Sequence, residues 1–133
     1  MPKASKLTAT ERHEIPGAVS VSENFPNGWT VNFETETADI DTTPFYDHLP
    51  DKKCQTPHLG YVITGTIRYR SAEGEEVFTA GDAYYVPPGH TSFVHEGTDY
   101  VEFSPTKEQA ETYQRVVDYW AFLKPGDPLI IAP

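Results

Sequence analysis

Cys54, His58 and His90 are the residues of this chain whose types invite coordination chemistry. A thiolate and two imidazoles are borderline-soft donors. With water as a fourth ligand, such a set suits Zn²⁺ better than a harder ion. Spacing sets a condition on this reading. Four residues of straight strand span about 13 Å at roughly 3.3 Å each, so Cys54 and His58 share one ion only if the chain bends at Thr56-Pro57. The alternative is a buried neutral thiol packed as a small hydrophobe beside a hydrogen-bonded His58. His90 follows Pro87-Pro88-Gly89 and serves equally well as a rim imidazole that holds this loop through a backbone hydrogen bond. His95 is expected to face outward, and His13 and His48 lie in weakly patterned segments. No Ser/His/Asp arrangement, phosphate-cradling glycine loop or paired-carboxylate site follows from spacing.

The candidate ligands sit in or beside a series of short strands. Residues 59–63 and 66–70 flank Thr64-Gly65, a tight hairpin. Turns at Ala72-Glu73-Gly74, Gly81-Asp82, Pro87-Pro88-Gly89 and Glu96-Gly97-Thr98 separate further strands at 76–79, 83–86, 92–95 and 100–103. Strands this short, recurring about every ten residues, predict an antiparallel sandwich or barrel. Upstream, 19–21 reads as a short strand, and Trp29, Val31 and Phe33 alternate with Thr30, Asn32 and Glu34. The stretch 35–53 offers at most a short strand near Phe45 and Tyr46. Residues 1–14 are polar and unpatterned and read as a flexible segment before a barrel at 15–105. One helix is expected over 106–123. Thr106-Lys107-Glu108-Gln109 has the capping-box pattern, with Ser104-Pro105 as an alternative start. Ala110, Tyr113, Val117, Trp120 and Ala121 form its apolar stripe, expected to pack on the outside of the barrel. Pro125-Gly126-Asp127-Pro128 ends the helix within a tail at 124–133.

The whole chain has 133 residues, 38% of them hydrophobic, enough for one domain with its own core. Twenty Asp and Glu stand against ten Lys and Arg, a net charge of −10. That surface repels phosphate backbones and anionic lipid, so neither nucleic acid nor membrane is an expected partner. Cys54 is the single cysteine, which excludes an internal disulfide. With no apolar leader and no run of membrane-spanning length, the expectation is a soluble, cytoplasmic protein.

Residues 54–105 resemble the small single-domain cupins. Gly81-Asp82-Ala83-Tyr84-Tyr85-Val86-Pro87-Pro88-Gly89 matches the second half of the cupin signature, which runs glycine, five residues, proline, one residue, glycine. The first half ends in a hairpin glycine, here Gly65 after Tyr61-Val62-Ile63-Thr64, and residues 66–80 separate the two glycines. The resemblance covers about two-fifths of the chain. It implies an all-β, antiparallel jelly-roll barrel with a cavity between its sheets and one C-terminal helix.

The same resemblance locates the family's usual metal ligands. Counting back from Gly65, the glutamate position falls on His58. The preceding histidine position falls on Cys54 or Lys53, and the first on Lys52 or Asp51. The histidine of the second half falls on Ser92. None of the four is retained, so the iron or manganese chemistry of the metalloenzymes is not implied.

If His58 points inward, alternation sends Gly60, Val62 and Thr64 inward and Leu59, Tyr61 and Ile63 outward. Gly60 would then leave space in the cavity, and Tyr84 or Tyr85, Phe93 and Tyr100 are candidate aromatic walls. The favoured expectation is a cavity for a small, partly apolar organic ligand, lined by His58, Gly60, Val62, Tyr85, His90, Ser92 and Phe93. The alternative is a metal enzyme, zinc being most compatible, that acts on a small organic acid or carbonyl compound through Cys54, His58 and His90. Cupins commonly pair through outer strands, and apolar Leu59, Tyr61 and Ile63 predict a homodimer.

Overall fold

Period-2 patterning makes strands, and ten of them precede one helix in residues 1–120, the part of the chain described by the structure, a computed structural model. In chain order they are β1 (Glu11–Ile15), β2 (Ala18–Asn24), β3 (Trp29–Glu36), β4 (Ile40–Asp41), β5 (His58–Thr64), β6 (Thr66–Ser71), β7 (Gly74–Thr79), β8 (Ala83–Val86), β9 (Thr91–Val94) and β10 (Asp99–Pro105). The helix α1 (Thr106–Trp120) follows β10 directly. All ladders are antiparallel, in a six-stranded sheet ordered β1-β2-β3-β10-β5-β8 and a four-stranded sheet ordered β4-β9-β6-β7. The chain is thus an antiparallel jelly roll of two facing sheets with a C-terminal helix.

The β5–β6 hairpin turns at Gly65, whose φ of 87° belongs to the left-handed region. A Cβ there would also stand 2.3 Å from Thr98 Oγ1, so glycine is required twice over. Side chains from both sheets form the main core: Val62, Ile67, Tyr69, Tyr84, Val86, Val94 and Tyr100, with Phe78 packed against it. A smaller cluster of Ala18, Ile40 and Phe45 sits beneath Ile15, Tyr46 and Val116.

Three expectations need correction. First, the sheet begins before residue 15. Glu11–Ile15 pairs residue for residue with Ala18–Ser22 around the Pro16-Gly17 turn. An edge strand needs ladder bonds on one side only, and its mostly polar residues left no alternation to read. Second, Thr43–Tyr46 is a 3-10 turn rather than a strand, and the strand lies earlier, at β4. Pro44 presets the turn's φ, and Asp41 Oδ1 accepts from the Thr43 amide at 2.9 Å. Third, α1 lies against the cavity rather than on the outside of a barrel. Gln109, Thr112, Tyr113 and Val116 border the cavity, Tyr113 while 40% exposed, the Thr112 and Thr56 hydroxyl oxygens are 2.7 Å apart, and Tyr113 Oη is 2.7 Å from His13 Nδ1. Ala121, the side chains at 117 and 120, the helix end expected at 123 and the tail 124–133 lie outside the described residues. Among those residues, no helix is long and apolar enough to cross a membrane.

Candidate functional site

The bend that the Cys54/His58 pair demanded is present. Cys54 forms an isolated antiparallel bridge with His90: its amide donates to the His90 carbonyl at 2.8 Å, and its own carbonyl accepts from Gly89 at 2.8 Å and His90 at 3.2 Å. Residues 55–57 then leave strand geometry before β5 starts at His58. Thr56, fully buried inside this bend, donates to the Glu108 carbonyl of α1 at 3.1 Å. Cys54 Sγ and His58 Nε2 thereby come within 3.9 Å of each other. One ligand atom from each of Cys54, His58 and His90 lies within 4.8 Å of the others, and all three residues are buried. Donors around one tetrahedral zinc stand roughly 3.5 Å apart, given Zn–S near 2.3 Å and Zn–N near 2.0 Å. A small inward movement of three side chains would close the set.

Each imidazole is oriented through its other nitrogen. His90 Nδ1 donates to the Pro87 carbonyl at 2.8 Å, so the neutral ring carries its lone pair on Nε2. His58 Nδ1 lies 2.7 Å from Ser104 Oγ and 3.7 Å from Glu102 Oε2. With Nε2 toward the thiol, Nδ1–H donates to Ser104. This is how ligating histidines are normally held. Burial, reinforced by His58, lowers the His90 pKa from 6.5 to about 4, so the ring is neutral near pH 7. Burial raises the Cys54 thiol, which must therefore lose a proton to bind a metal.

These three residues line a cavity of about 430 Å³ between the sheets and α1. Part of its lining is apolar, built from Ile15, Ala18, Ile40, Phe45 and Val116. The rest of the inner face of the six-stranded sheet is polar: Ser20 and Ser22 from β2, Asn32, Glu34 and Glu36 from β3, Glu102 from β10. Glu102 Oε1 accepts hydrogen bonds from the Tyr69 and Tyr84 hydroxyls, the latter at 2.5 Å. Burial, helped by Glu102, raises Glu34 to about 8. Burial, then repulsion from Glu34, Glu102 and Asp99, raises Glu36 to about 9. Glu34 keeps part of its surface open to the cavity, whereas Glu36 is 4% exposed.

The residues expected in the site separate into two groups. Cys54, His58, His90 and Ser92 line the cavity, although Ser92 is tied to Thr42, whose Oγ1 accepts from its amide at 2.8 Å. Gly60, Val62, Tyr85 and Phe93 are placed elsewhere. Gly60 makes room for Tyr84 rather than for a ligand, since a Cβ there would stand 2.3 Å from Tyr84 Cζ. Val62 is sealed in the main core at 0% exposure. Tyr85 points out of the six-stranded sheet at 59% exposure. Phe93 pairs across β6 with Arg68 and packs its ring on His95 at 5.0 Å. Of the other aromatic candidates, Tyr100 reaches the cavity and Tyr84 the core.

Spacing alone gave no paired-carboxylate site, yet Glu34, Glu36 and Glu102 meet in one wall. The signal was present in Thr30, Asn32, Glu34 and Glu36, which alternate with Trp29, Val31 and Phe33. In this sheet the polar set faces inward, because the interior is a cavity and not a packed core.

No protein-family model and no curated protein matches the chain. Solved structures do. It is similar to an RmlC-like cupin from Shewanella frigidimarina at 18% identity and a TM-score of 0.57, over 80% of this chain and 93% of that one. A Bacillus subtilis oxalate decarboxylase superposes at 14% identity and 0.53, over 72% of this chain and 27% of the decarboxylase. The polyketide cyclase RemF from Streptomyces resistomycificus matches at 15% identity and 0.51, over 80% of both chains. The two facing sheets and the cavity between them define a cupin-type jelly roll. This chain is a small cupin-fold protein.

Proposed function

We propose that this cupin binds one zinc ion through Cys54, His58 and His90 and presents it to a small organic ligand in the adjoining cavity. The carrying observation is the convergence of three buried donor groups whose two imidazoles are each fixed through the opposite ring nitrogen. The donors suit zinc better than the harder ions of the family's histidine and glutamate sets, because an imidazole stands at the glutamate position and a thiolate at a histidine position. Three protein ligands leave a fourth position open to water or to a ligand atom. A zinc ion held there supplies Lewis acidity toward a carbonyl or water oxygen. Around it, Ser104 fixes the His58 tautomer and the Pro87 carbonyl fixes that of His90. The apolar part of the lining excludes water and the acidic wall orients polar groups. A decarboxylase and a cyclase share this fold without sharing chemistry, so the fold itself does not select a reaction.

Zinc titration by calorimetry on protein purified without an affinity tag tests the reading. Stoichiometric binding is expected in the parent, weakened at least ~100-fold in His58→Ala. Because the Cys54 thiol is raised, zinc must displace its proton. Affinity should therefore rise with pH from 6.5 to 8, by about tenfold per unit for that one proton. A parent that takes up no zinc overturns the proposal and leaves the metal-free binding module that the sequence favoured.

A further inference from the structure

The acidic wall is costly to build, and Glu34 and Glu36 in it are not among the three converging donors. Three carboxyl groups share the inner face of β3 and β10, where Glu34 pairs with Tyr100 and Glu102 with Asn32 in the ladder. Among the described residues, no lysine or arginine lines the cavity, and the imidazole nearest the carboxyls, His58, stands 3.7 Å from Glu102 Oε2. Glu102 is held by two tyrosine hydroxyls and Glu34 by Ser20. Glu36 differs. It lines the cavity from β3, and its buried Oε2 has no hydrogen-bond partner. A buried acceptor left unpaired carries a full desolvation cost, and one retained in a native fold calls for an explanation, of which a bound ligand is one.

We propose that this wall is a subsite for a small organic cation, an ammonium group seated against Glu34 and Glu36 with Glu102 beside them. The proposal rests on the reading of the cavity as a ligand site but not on the zinc. An ammonium offers donors to Glu36 Oε2 and a positive charge that would hold Glu34 and Glu36 in their charged forms. Without it, burial first and neighbouring carboxylates after it raise the proton affinity of Glu34 and Glu36. Tyr46, Tyr69 and Tyr100 add ring surfaces suited to a cation and its hydrocarbon. A hard metal ion fits less well. It needs six or more oxygens at 2.3–2.6 Å for calcium, whereas Glu102 Oε1 is already taken by two phenols, and a cavity of about 430 Å³ has the size of an organic molecule.

The test is calorimetric titration of metal-free and zinc-loaded protein with three probes of one shape: 2-phenylethylamine, 2-phenylethanol and phenylacetate, with calcium chloride as a fourth. The amine should bind at least tenfold more tightly than the alcohol, with or without zinc. The double variant Glu34→Gln/Glu36→Gln should reduce amine affinity to that of the alcohol, and a zinc titration of the same variant reports whether the site region is intact. The comparison of amine and alcohol in the parent stands even if the variant fails to fold. Equal affinity for amine and alcohol, a preference for phenylacetate, or stoichiometric calcium without amine would each overturn the subsite while leaving a ligand cavity. No binding by any probe, with zinc still bound, overturns it and leaves the metal reading. Failure of zinc as well removes both.

Discussion

His90 does two jobs with two nitrogens: Nδ1 ties down the Pro-Gly loop while Nε2 keeps a free lone pair. The rim-imidazole and ligand readings of this residue are therefore compatible, because the hydrogen bond that fixes the loop also selects the tautomer a metal needs. His58 depends on Ser104 in the same way, and Ser104 is fully buried with no other assigned task at the site. Ser104→Ala should weaken zinc binding by about 10–100-fold, the usual effect of removing a ligand's orienting partner. Urea unfolding of the same variant separates this from a structural effect. A loss of stability with unchanged zinc affinity would show that Ser104 packs rather than positions.

At the scale of elements, β3 explains why the interior is polar. Its inward row runs Thr30, Asn32, Glu34 and Glu36, while Trp29, Val31 and Phe33 face the other way. Two of these glutamates have pKa values raised from 4.5 to about 8 and 9. The native state therefore binds more protons than the unfolded chain between those limits, and stability falls as pH rises through that window. His90 works in the opposite direction below its ordinary value of 6.5, where the unfolded chain takes a proton that the buried ring refuses. The decline should thus be steepest from about pH 6.5 to 8, where His90 no longer opposes it. Calorimetric melting of the metal-free protein should show Tm dropping across that interval, and Glu34→Gln/Glu36→Gln should flatten the profile. A parent Tm that rises over the same interval would contradict the placement of these carboxyls.

At the scale of the molecule, the outer face of the six-stranded sheet carries several exposed large apolar side chains. Two rows cross it: Phe33, Val101 and Tyr61, then Phe103, Leu59 and Tyr85, with Val31 buried at the end of the second row. Leu59, Tyr61 and Ile63 are 44–47% exposed, and α1 lies against the opposite face of the sheet and leaves them open. A contiguous apolar face of this kind marks an interface, and a face of one sheet can meet its own copy about a twofold axis. We expect a homodimer with twice the 14.9 kDa chain mass by light scattering, converted to monomer by Tyr61→Lys. A parent mass of 14.9 kDa across micromolar concentrations would reject it.

The local signals were enough for the strands from β5 to β10 and for the start of α1, since turn glycines, prolines and alternation act over a few residues and leave little choice of conformation. They also settled the facing of β5, where Leu59, Tyr61 and Ile63 lie outward as alternation requires. They were insufficient for β1, which is held by its ladder with β2 and not by its own pattern. The composition of the site was legible only as a list of donor types. Cys54 and His58 are four residues apart, and only the bend at Thr56, anchored to a helix more than fifty residues away, brings their donor atoms to 3.9 Å. His90 joins them through a backbone bridge across the fold. The acidic wall is likewise a tertiary product. Alternation says that Glu34 and Glu36 share a face, but whether that face meets solvent or a cavity depends on what the opposite sheet and helix place before it.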